Sequence, residues 1–330
     1  MREKSSKNGS KILVILGPTA TGKSELAARL ARKYNGEVIS ADSRQVYKGL
    51  DIGTGKITKK EMRGVPHYML DVVSPKKVFT VAEWQKQTKK IITDIISRGK
   101  LPIICGGTGF YIQSIVEGLV LPEVPPNKPL RKKLENKSLE ELQKLLAKLA
   151  PRRFASIDIK NPVRLIRAIE ITEKIGSVPT LRRAQGKNSY EFLQIGLKLS
   201  EKDLKIKIHD RVLSRMKRGM IKETKNLHKN GLSWKRMREL GLEYKYLAYY
   251  LEKKTTKQEL CENIEKGNLD YAKRQMVWFK RPARHASPAS NASHSDAGWQ
   301  GDAGGDKKIK WFKPTEHKAI EKAVARFINS

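Results

Sequence analysis

The run Gly17-Pro18-Thr19-Ala20-Thr21-Gly22-Lys23-Ser24 decides the reading of this chain, because it fits the phosphate-loop pattern G-x-x-x-x-G-K-S in both residues and setting. Before it, Ile12-Leu13-Val14-Ile15-Leu16 is a continuous apolar run, as a buried strand requires. After it, Ser24 to Ala31 reads as the first turns of an amphipathic helix. A loop in that position turns backbone N–H groups inward around a phosphate, and the helix N-terminus adds its positive end. Lys23 then reaches a terminal phosphate and the Ser24 hydroxyl can ligate Mg²⁺. The pattern implies a phosphorylated small-molecule ligand and leaves its fate open.

Further strands follow outward from the loop. Glu37 to Asp42 reads as the second, Leu101 to Cys105 as another after a helix from Val81 to Arg98, and Glu191 to Leu197 as a returning strand. Strands alternating with helices predict an α/β fold, a phosphate-loop-type parallel sheet covered on both faces. Ligands of such sheets sit beyond the carboxyl ends of the strands. Asp42 and the turn Gly106-Gly107-Thr108-Gly109 are therefore expected to face the phosphate loop.

The character changes near residue 117. The proline-rich link Leu121 to Pro126 leads into a helical insertion expected over 118–189. There Ser138-Leu139-Glu140-Glu141 is a capping-box start for a helix to Ala150, and Pro162 sits in the first turn of another ending at Ile175. The core is then expected to occupy 11–117 and 190–281, the latter with basic helices. Residues 1–10 read as a disordered lead-in. Residues 282–306, rich in Ala, Ser, Gly and His, read as a disordered insertion before a C-terminal segment at 307–330. The spacing of His285, His294 and His317 matches no metal-binding pattern.

Composition narrows the partners. In 330 residues there are 68 Lys and Arg against 34 Asp and Glu, a net charge of +34. Such an imbalance repels itself and points to a polyanion, nucleic acid or an anionic membrane surface, or else reflects a general lysine bias. No stretch approaches the roughly 18 apolar residues that span a bilayer, and the N-terminus lacks the apolar centre of a signal peptide. Cys105 and Cys261 have no metal or redox spacing, and Cys105 ends an apolar run as a small core residue would. The expectation is a cytoplasmic protein with no membrane association.

Five segments in order carry a family resemblance. They are the phosphate loop; Ser40-Ala41-Asp42-Ser43-Arg44-Gln45 through Gly53-Thr54-Gly55-Lys56; Val65-Pro66-His67-Tyr68 with Gly106-Gly107-Thr108-Gly109-Phe110-Tyr111; Arg164-Leu165-Ile166-Arg167; and Tyr271-Ala272-Lys273-Arg274-Gln275 through Phe279. Together they resemble the tRNA dimethylallyltransferases. That resemblance implies transfer of a dimethylallyl group from dimethylallyl diphosphate to N6 of an adenosine beside the tRNA anticodon. A monomer can clamp one anticodon stem-loop, and a monomer is the expectation. A diphosphate leaving group needs a phosphate cradle, which Gly17 to Ser24 supply, with Lys23, backbone amides and Mg²⁺ stabilising the developing charge. The weakly nucleophilic amine needs a base, and Asp42 is the candidate; a Mg²⁺-shell carboxylate is its other reading.

By resemblance, Thr108 bonds near the bridging diphosphate oxygen and the tRNA, or else only closes a glycine turn. Ser43, Arg44 and Gln45 with Asp42 meet the target adenosine, which must leave its stack to react. Arg164 and Arg167 share a helix face and meet the anticodon arm, unless that face is simply solvated. Gly241 and Tyr244 belong to a further tRNA-contact segment, and Lys273 and Arg274 reach phosphates. The chain departs from the family pattern at Asn268-Leu269, where a Thr-Arg pair is usual. Three rivals remain: an adenylate isopentenyltransferase, a small-molecule kinase and a silent RNA-binding protein.

Overall fold

The computed structural model describes residues 9–176, 190–280 and 309–330. The disorder expected over 1–8 and 282–306, and the end of the expected insertion at 177–189, fall outside the described residues, and Ser10 already belongs to the first strand. The chain divides into two compact units.

The first unit opens with β1 (Ser10–Leu16), α1 (Lys23–Lys33), β2 (Gly36–Ala41), α2 (Lys59–Met62), β3 (His67–Tyr68), α3 (Val81–Ser97), β4 (Leu101–Gly106) and α4 (Gly109–Val116). The second unit, 118–176, holds α5 (Lys128–Glu135), α6 (Leu139–Leu149), α7 (Pro151–Phe154) and α8 (Pro162–Ile175). The chain then re-enters the first unit with β5 (Tyr190–Leu197), α9 (Glu201–Lys217), α10 (Met220–Lys229), α11 (Trp234–Leu240), α12 (Leu242–Leu251) and α13 (Lys257–Phe279). It ends with β6 (Lys310–Phe312) and α14 (His317–Asn329).

The six strands form one parallel sheet in the order β3-β2-β4-β1-β5-β6. β1 lies at its centre, with Leu13 opposite both Ile103 of β4 and Leu193 of β5. Its alternate residues serve opposite faces, which is why the run is continuously apolar. Ile12, Val14 and Leu16 pack towards Trp84, Ile92 and Ile95 of α3 and Tyr111, Ile112 and Ile115 of α4. Leu13 and Ile15 pack towards Leu26, Ala27, Leu30 and Ala31 of α1 and Ile320 and Val324 of α14. Cys105 belongs to that second face, a buried core residue as expected. Capping boxes at Thr80/Glu83 and Thr256/Glu259 fix the starts of α3 and α13.

Two strands went unread in the sequence. β3 is only two residues long, too short for a periodicity, and β6 is three. Yet β6 extends the sheet, and its Trp311 ring lies where a Cβ on Gly196 would stand, 2.5 Å away. The strand positions bring the carboxyl ends of β1, β2 and β4 to one edge, and with them the turns that follow each.

The second unit is helical. Ser138 and Glu141 form the expected capping box of α6, and Asn161 caps α8 with Pro162 in its first turn. Leu134, Leu142, Leu146, Leu165 and Ile169 make its core. Buried Glu170 accepts from the Asn127 amide, from Arg131 at 2.8 and 2.9 Å, and from Arg167. Burial opposes its charge, but the two arginines prevail and hold its carboxyl below the usual range.

Candidate active site

The loop between β1 and α1 is shaped by Gly17, Ala20 and Gly22. Gly17 has φ +140°, and a Cβ there would stand 2.4 Å from the Leu197 carbonyl oxygen, so only glycine lets the loop lie against β5. Ala20 and Gly22 are left-handed, at φ 64° and 81°. Gly22 starts α1 with no capping side chain, which leaves the helix's leading amides and positive end to the cleft. The Pro18 carbonyl accepts from Thr21 Oγ1 at 2.9 Å and from Lys23 Nζ at 2.5 Å. Lys23 is thereby folded into its own loop. Burial, together with Arg211, drops its pKa to about 8 against the pull of Cys105 and Asp42.

Residues 19–25 of this loop, with Asp42, Ser43, Arg44, Gln45 and the Cys105-Gly106-Gly107 turn, line one cleft of about 940 Å³. The three segments that the sheet's carboxyl edge was expected to collect are therefore together. Asp42 caps its own turn: its Oδ1 accepts from the amides of Arg44 at 2.8 Å and Gln45 at 3.4 Å. Thr108 Oγ1 accepts from the Ser43 amide at 3.0 Å, and its own amide bonds the Ala41 carbonyl. The β4–α4 turn is thus locked to the turn carrying Asp42. Tyr271 lies within hydrogen-bonding reach of Thr108, and burial followed by the charge of Asp42 pushes its phenol well above the usual range.

The far wall comes from α9 and α13. Gln275, buried, accepts from the Thr19 amide and donates to the Gly107 carbonyl. Arg274 lines the cleft, whereas Lys273 does not stand among the lining residues. Arg211 donates to Thr19 Oγ1 at 2.8 Å, and burial and then Arg215 hold its guanidinium below its ordinary range. Arg215 pairs with Glu243 at 2.9 Å. Glu243 also accepts from Asn268 at 3.2 Å, the asparagine that stands in place of the usual threonine. Trp278 packs over Gly109 and edge-on to Phe110.

Other residues singled out in the sequence take different places. Tyr244 is 1 % exposed, and its hydroxyl donates to Glu223 Oε1 at 2.8 Å. Its side chain supports the cleft from the core rather than offering a surface to RNA. Glu223 in turn gathers the amides of Asp51, Ile52 and Gly53, fixing the 51–55 loop. Gly241, at φ 77°, lines the cleft near Arg44. In the second unit Arg164 is half exposed and pairs with Asp158, while Arg167 is committed to Glu170 and the Val124 carbonyl. His67 Nδ1 bonds the Val65 carbonyl at 2.9 Å, and burial lowers its pKa. Among the described residues no three His, Cys, Asp or Glu side chains cluster as metal ligands.

The arrangement joins a glycine-rich loop at a helix start, a carboxylate and an arginine-lined wall in one cleft. A family model described as IPP transferase matches residues 45–282. The chain is 43% identical to "tRNA dimethylallyltransferase 2" of Treponema denticola over 272 residues, 82% of this chain and 91% of that protein. The chain belongs to the tRNA dimethylallyltransferase family. It is also 40% identical to "tRNA dimethylallyltransferase 1" of Syntrophus aciditrophicus, over 83% of this chain and 90% of the relative. Among solved structures, it resembles the full-length tRNA isopentenylpyrophosphate transferase of Bacillus halodurans, with TM-score 0.65 and 31% identity over 97% of this chain and 98% of that one. It likewise resembles a eukaryotic dimethylallyltransferase acting on tRNA, with TM-score 0.67 and 27% identity over 82% of this chain and 70% of the other. The α/β sheet and the resemblance read from five motifs are those of this family. Arg211, Arg215 and Glu223 were missed because they sit among many lysines and arginines on α9 and α10, where no spacing separates a cleft residue from a solvated one.

Proposed function

We propose that the chain transfers the dimethylallyl group of dimethylallyl diphosphate to N6 of the adenosine 3′-adjacent to the anticodon of tRNA, giving N6-(dimethylallyl)adenosine. The observation that carries this reading is the meeting of the phosphate loop and Asp42 in one cleft of a chain from this family, with Thr108 behind the lining, bonded to the Ser43 amide. In the reaction the bond between the allylic carbon and the bridging oxygen breaks, and a bond from that carbon to N6 forms. The N6 proton goes to Asp42, whose oriented turn presents the carboxylate at the cleft. Negative charge gathers on diphosphate against Lys23, the leading amides of α1 and the arginines of α9. Thr108, held by the Ser43 amide, directs its hydroxyl proton towards the bridging oxygen. Ser43, Arg44 and Gln45 receive the unstacked adenine.

A divalent cation, Mg²⁺, fits the site through the exposed Ser24 hydroxyl at the start of α1, with the substrate's phosphate oxygens and water as its other ligands. Bound there it would neutralise diphosphate charge. The anticodon arm is the RNA element, met by the excess positive charge and by exposed Arg164 of the helical unit; the working form is a monomer in the cytoplasm. Among the described residues no helix is long and apolar enough to cross a membrane. The test is transfer from labelled dimethylallyl diphosphate with an anticodon stem-loop and AMP offered in parallel. Label on the stem-loop supports the reading. Label on AMP alone moves the chain to free-adenylate chemistry, and ATP-dependent phosphorylation without transfer makes it a kinase.

A further inference from the structure

Arg215 is 4 % exposed, lines the cleft and is half satisfied. Its Nη1 donates to the Gly53 carbonyl at 3.0 Å and to Glu243 Oε1 at 2.9 Å. Its Nη2 is buried and meets no acceptor. A buried donor left unmade is costly, the more so when it belongs to a charged group, so its persistence calls for a partner. One helical turn earlier on α9, Arg211 reaches the phosphate loop through Thr19.

Both guanidiniums converge on a single residue that has no side chain. A Cβ built on Gly55 would stand 1.9 Å from Arg215 Nη2 and 2.3 Å from Arg211 Nη2. Gly55 is therefore the clearance that lets two like charges meet at the cleft wall. Glu243 offsets one of the two charges and is oriented by Asn268. The second charge and the idle Nη2 are what an oxyanion would complete, since a guanidinium fork matches a phosphate's paired oxygens.

We propose that Arg215 is a diphosphate-holding residue, donating Nη2 to a terminal oxygen of the prenyl donor beside Arg211, with Gly55 as the clearance that admits it. The inference rests on the reaction proposed above for its ligand's identity. Diphosphate rather than an RNA phosphate is the partner because Arg211 ties the pair to the phosphate loop and because Arg215 is too enclosed to meet a nucleic-acid backbone. It also answers the departure at Asn268-Leu269. Leu269 packs with Ile208, Val212 and Leu260 in an apolar cluster, so position 269 brings no cation to the cleft. The cation comes instead from α9, and Asn268 serves it by holding Glu243.

The test is binding of inorganic pyrophosphate, dimethylallyl diphosphate and an anticodon stem-loop by calorimetry, on wild type, Arg215→Lys and Gly55→Ala. Lysine keeps a cation for Glu243 but loses the second fork nitrogen; the Gly55 variant puts a methyl where Nη2 lies. Both variants should weaken pyrophosphate and prenyl diphosphate about tenfold or more, with stem-loop affinity within about twofold of wild type. If Arg215→Lys fails to fold, Arg215→Met combined with Glu243→Gln removes the charge pair together and carries the same expectation. Unchanged pyrophosphate affinity overturns the proposal. So does a loss confined to the stem-loop, which would give the arginine to RNA. A wild type that binds pyrophosphate through Arg215 yet prenylates nothing would leave this site standing and defeat the proposed reaction, so the two fail separately.

Discussion

Gln275 Oε1 accepts a hydrogen bond from the Thr19 amide at 2.8 Å, joining the last long helix of the core to the phosphate loop across 256 residues of sequence. The same side chain donates to Gly107, so one amide holds the loop and the β4–α4 turn in a single geometry. Its carboxamide uses both ends, and neither a carboxylate nor a methyl can do so. Gln275→Glu keeps the acceptor for Thr19 but sets an anion against the Gly107 carbonyl and the bound diphosphate. It should raise KM for dimethylallyl diphosphate at least about tenfold and lower stability by about 1–3 kcal/mol. Steady-state kinetics with a denaturation curve check both; an unchanged KM would reduce Gln275 to packing.

Asp42→Asn separates the two roles open to this carboxylate. Asparagine Oδ1 can still accept from the Arg44 and Gln45 amides, so the turn survives. As a base, Asp42 should lose about 10²–10⁴ in turnover at every Mg²⁺ concentration, with stem-loop affinity within a few-fold. A loss repaired by excess Mg²⁺ would make it a metal-shell carboxylate instead.

Lys23 gives a pH signature. Its pKa is lowered to about 8 in the ligand-free cleft by burial first. An anion beside it favours the charged form and raises that value again. At a pH just above 8, binding of dimethylallyl diphosphate should therefore take up protons, and affinity should fall as pH rises through this range. Calorimetry in buffers of different ionisation enthalpy measures the uptake. Lys23→Met should abolish it; uptake that persists in the variant would assign the proton elsewhere.

Glu37 is a stability element remote from the cleft. Its buried carboxylate is held by Arg98, Lys100 and Tyr68, which bring its pKa to about 2. A depressed folded-state value means this contribution is present above the unfolded value of 4.5 and is lost as pH falls towards 2. Glu37→Gln should cost about 3 kcal/mol near neutral pH, and the difference from wild type should shrink on acidification through that window. A pH-independent difference would attribute the loss to packing.

The two arginines of α8 should behave differently. Arg167→Ala strips a partner from buried Glu170 and should lower the melting temperature of the helical unit. Arg164→Ala, at an exposed pair, should leave stability within about 0.5 kcal/mol and flatten the salt dependence of tRNA binding. An unchanged salt slope would return Arg164 to a solvated face.

Much of this site was legible because its chemistry demands rare local patterns. A glycine-lysine-serine loop after an apolar run, an aspartate at a strand's end and a glycine turn each announce themselves in a few residues. The four longer strands were equally plain, since burial on both faces makes each mainly apolar, with few polar residues such as Glu37 or Gln194 within the run. What escaped was whatever tertiary contact alone decides. Arg211 and Arg215 look like any cation on a lysine-rich helix until Gly55 and Thr19 are brought against them. Tyr244 sits in a segment read as RNA-facing, but its ring is swallowed by the core once Glu223 collects the 51–55 loop. β3 and β6 are too short to carry a period and exist because neighbouring strands offer them an edge.

The measurement that tests the central claim most directly is nucleoside mass spectrometry of tRNA from a host lacking its own tRNA prenyltransferase, supplied with this chain or its Asp42→Asn variant. The account predicts N6-(dimethylallyl)adenosine, next to the anticodon on its 3′ side, with the wild type and none above background with the variant. No modified adenosine with the wild type, or equal amounts with both, would contradict it.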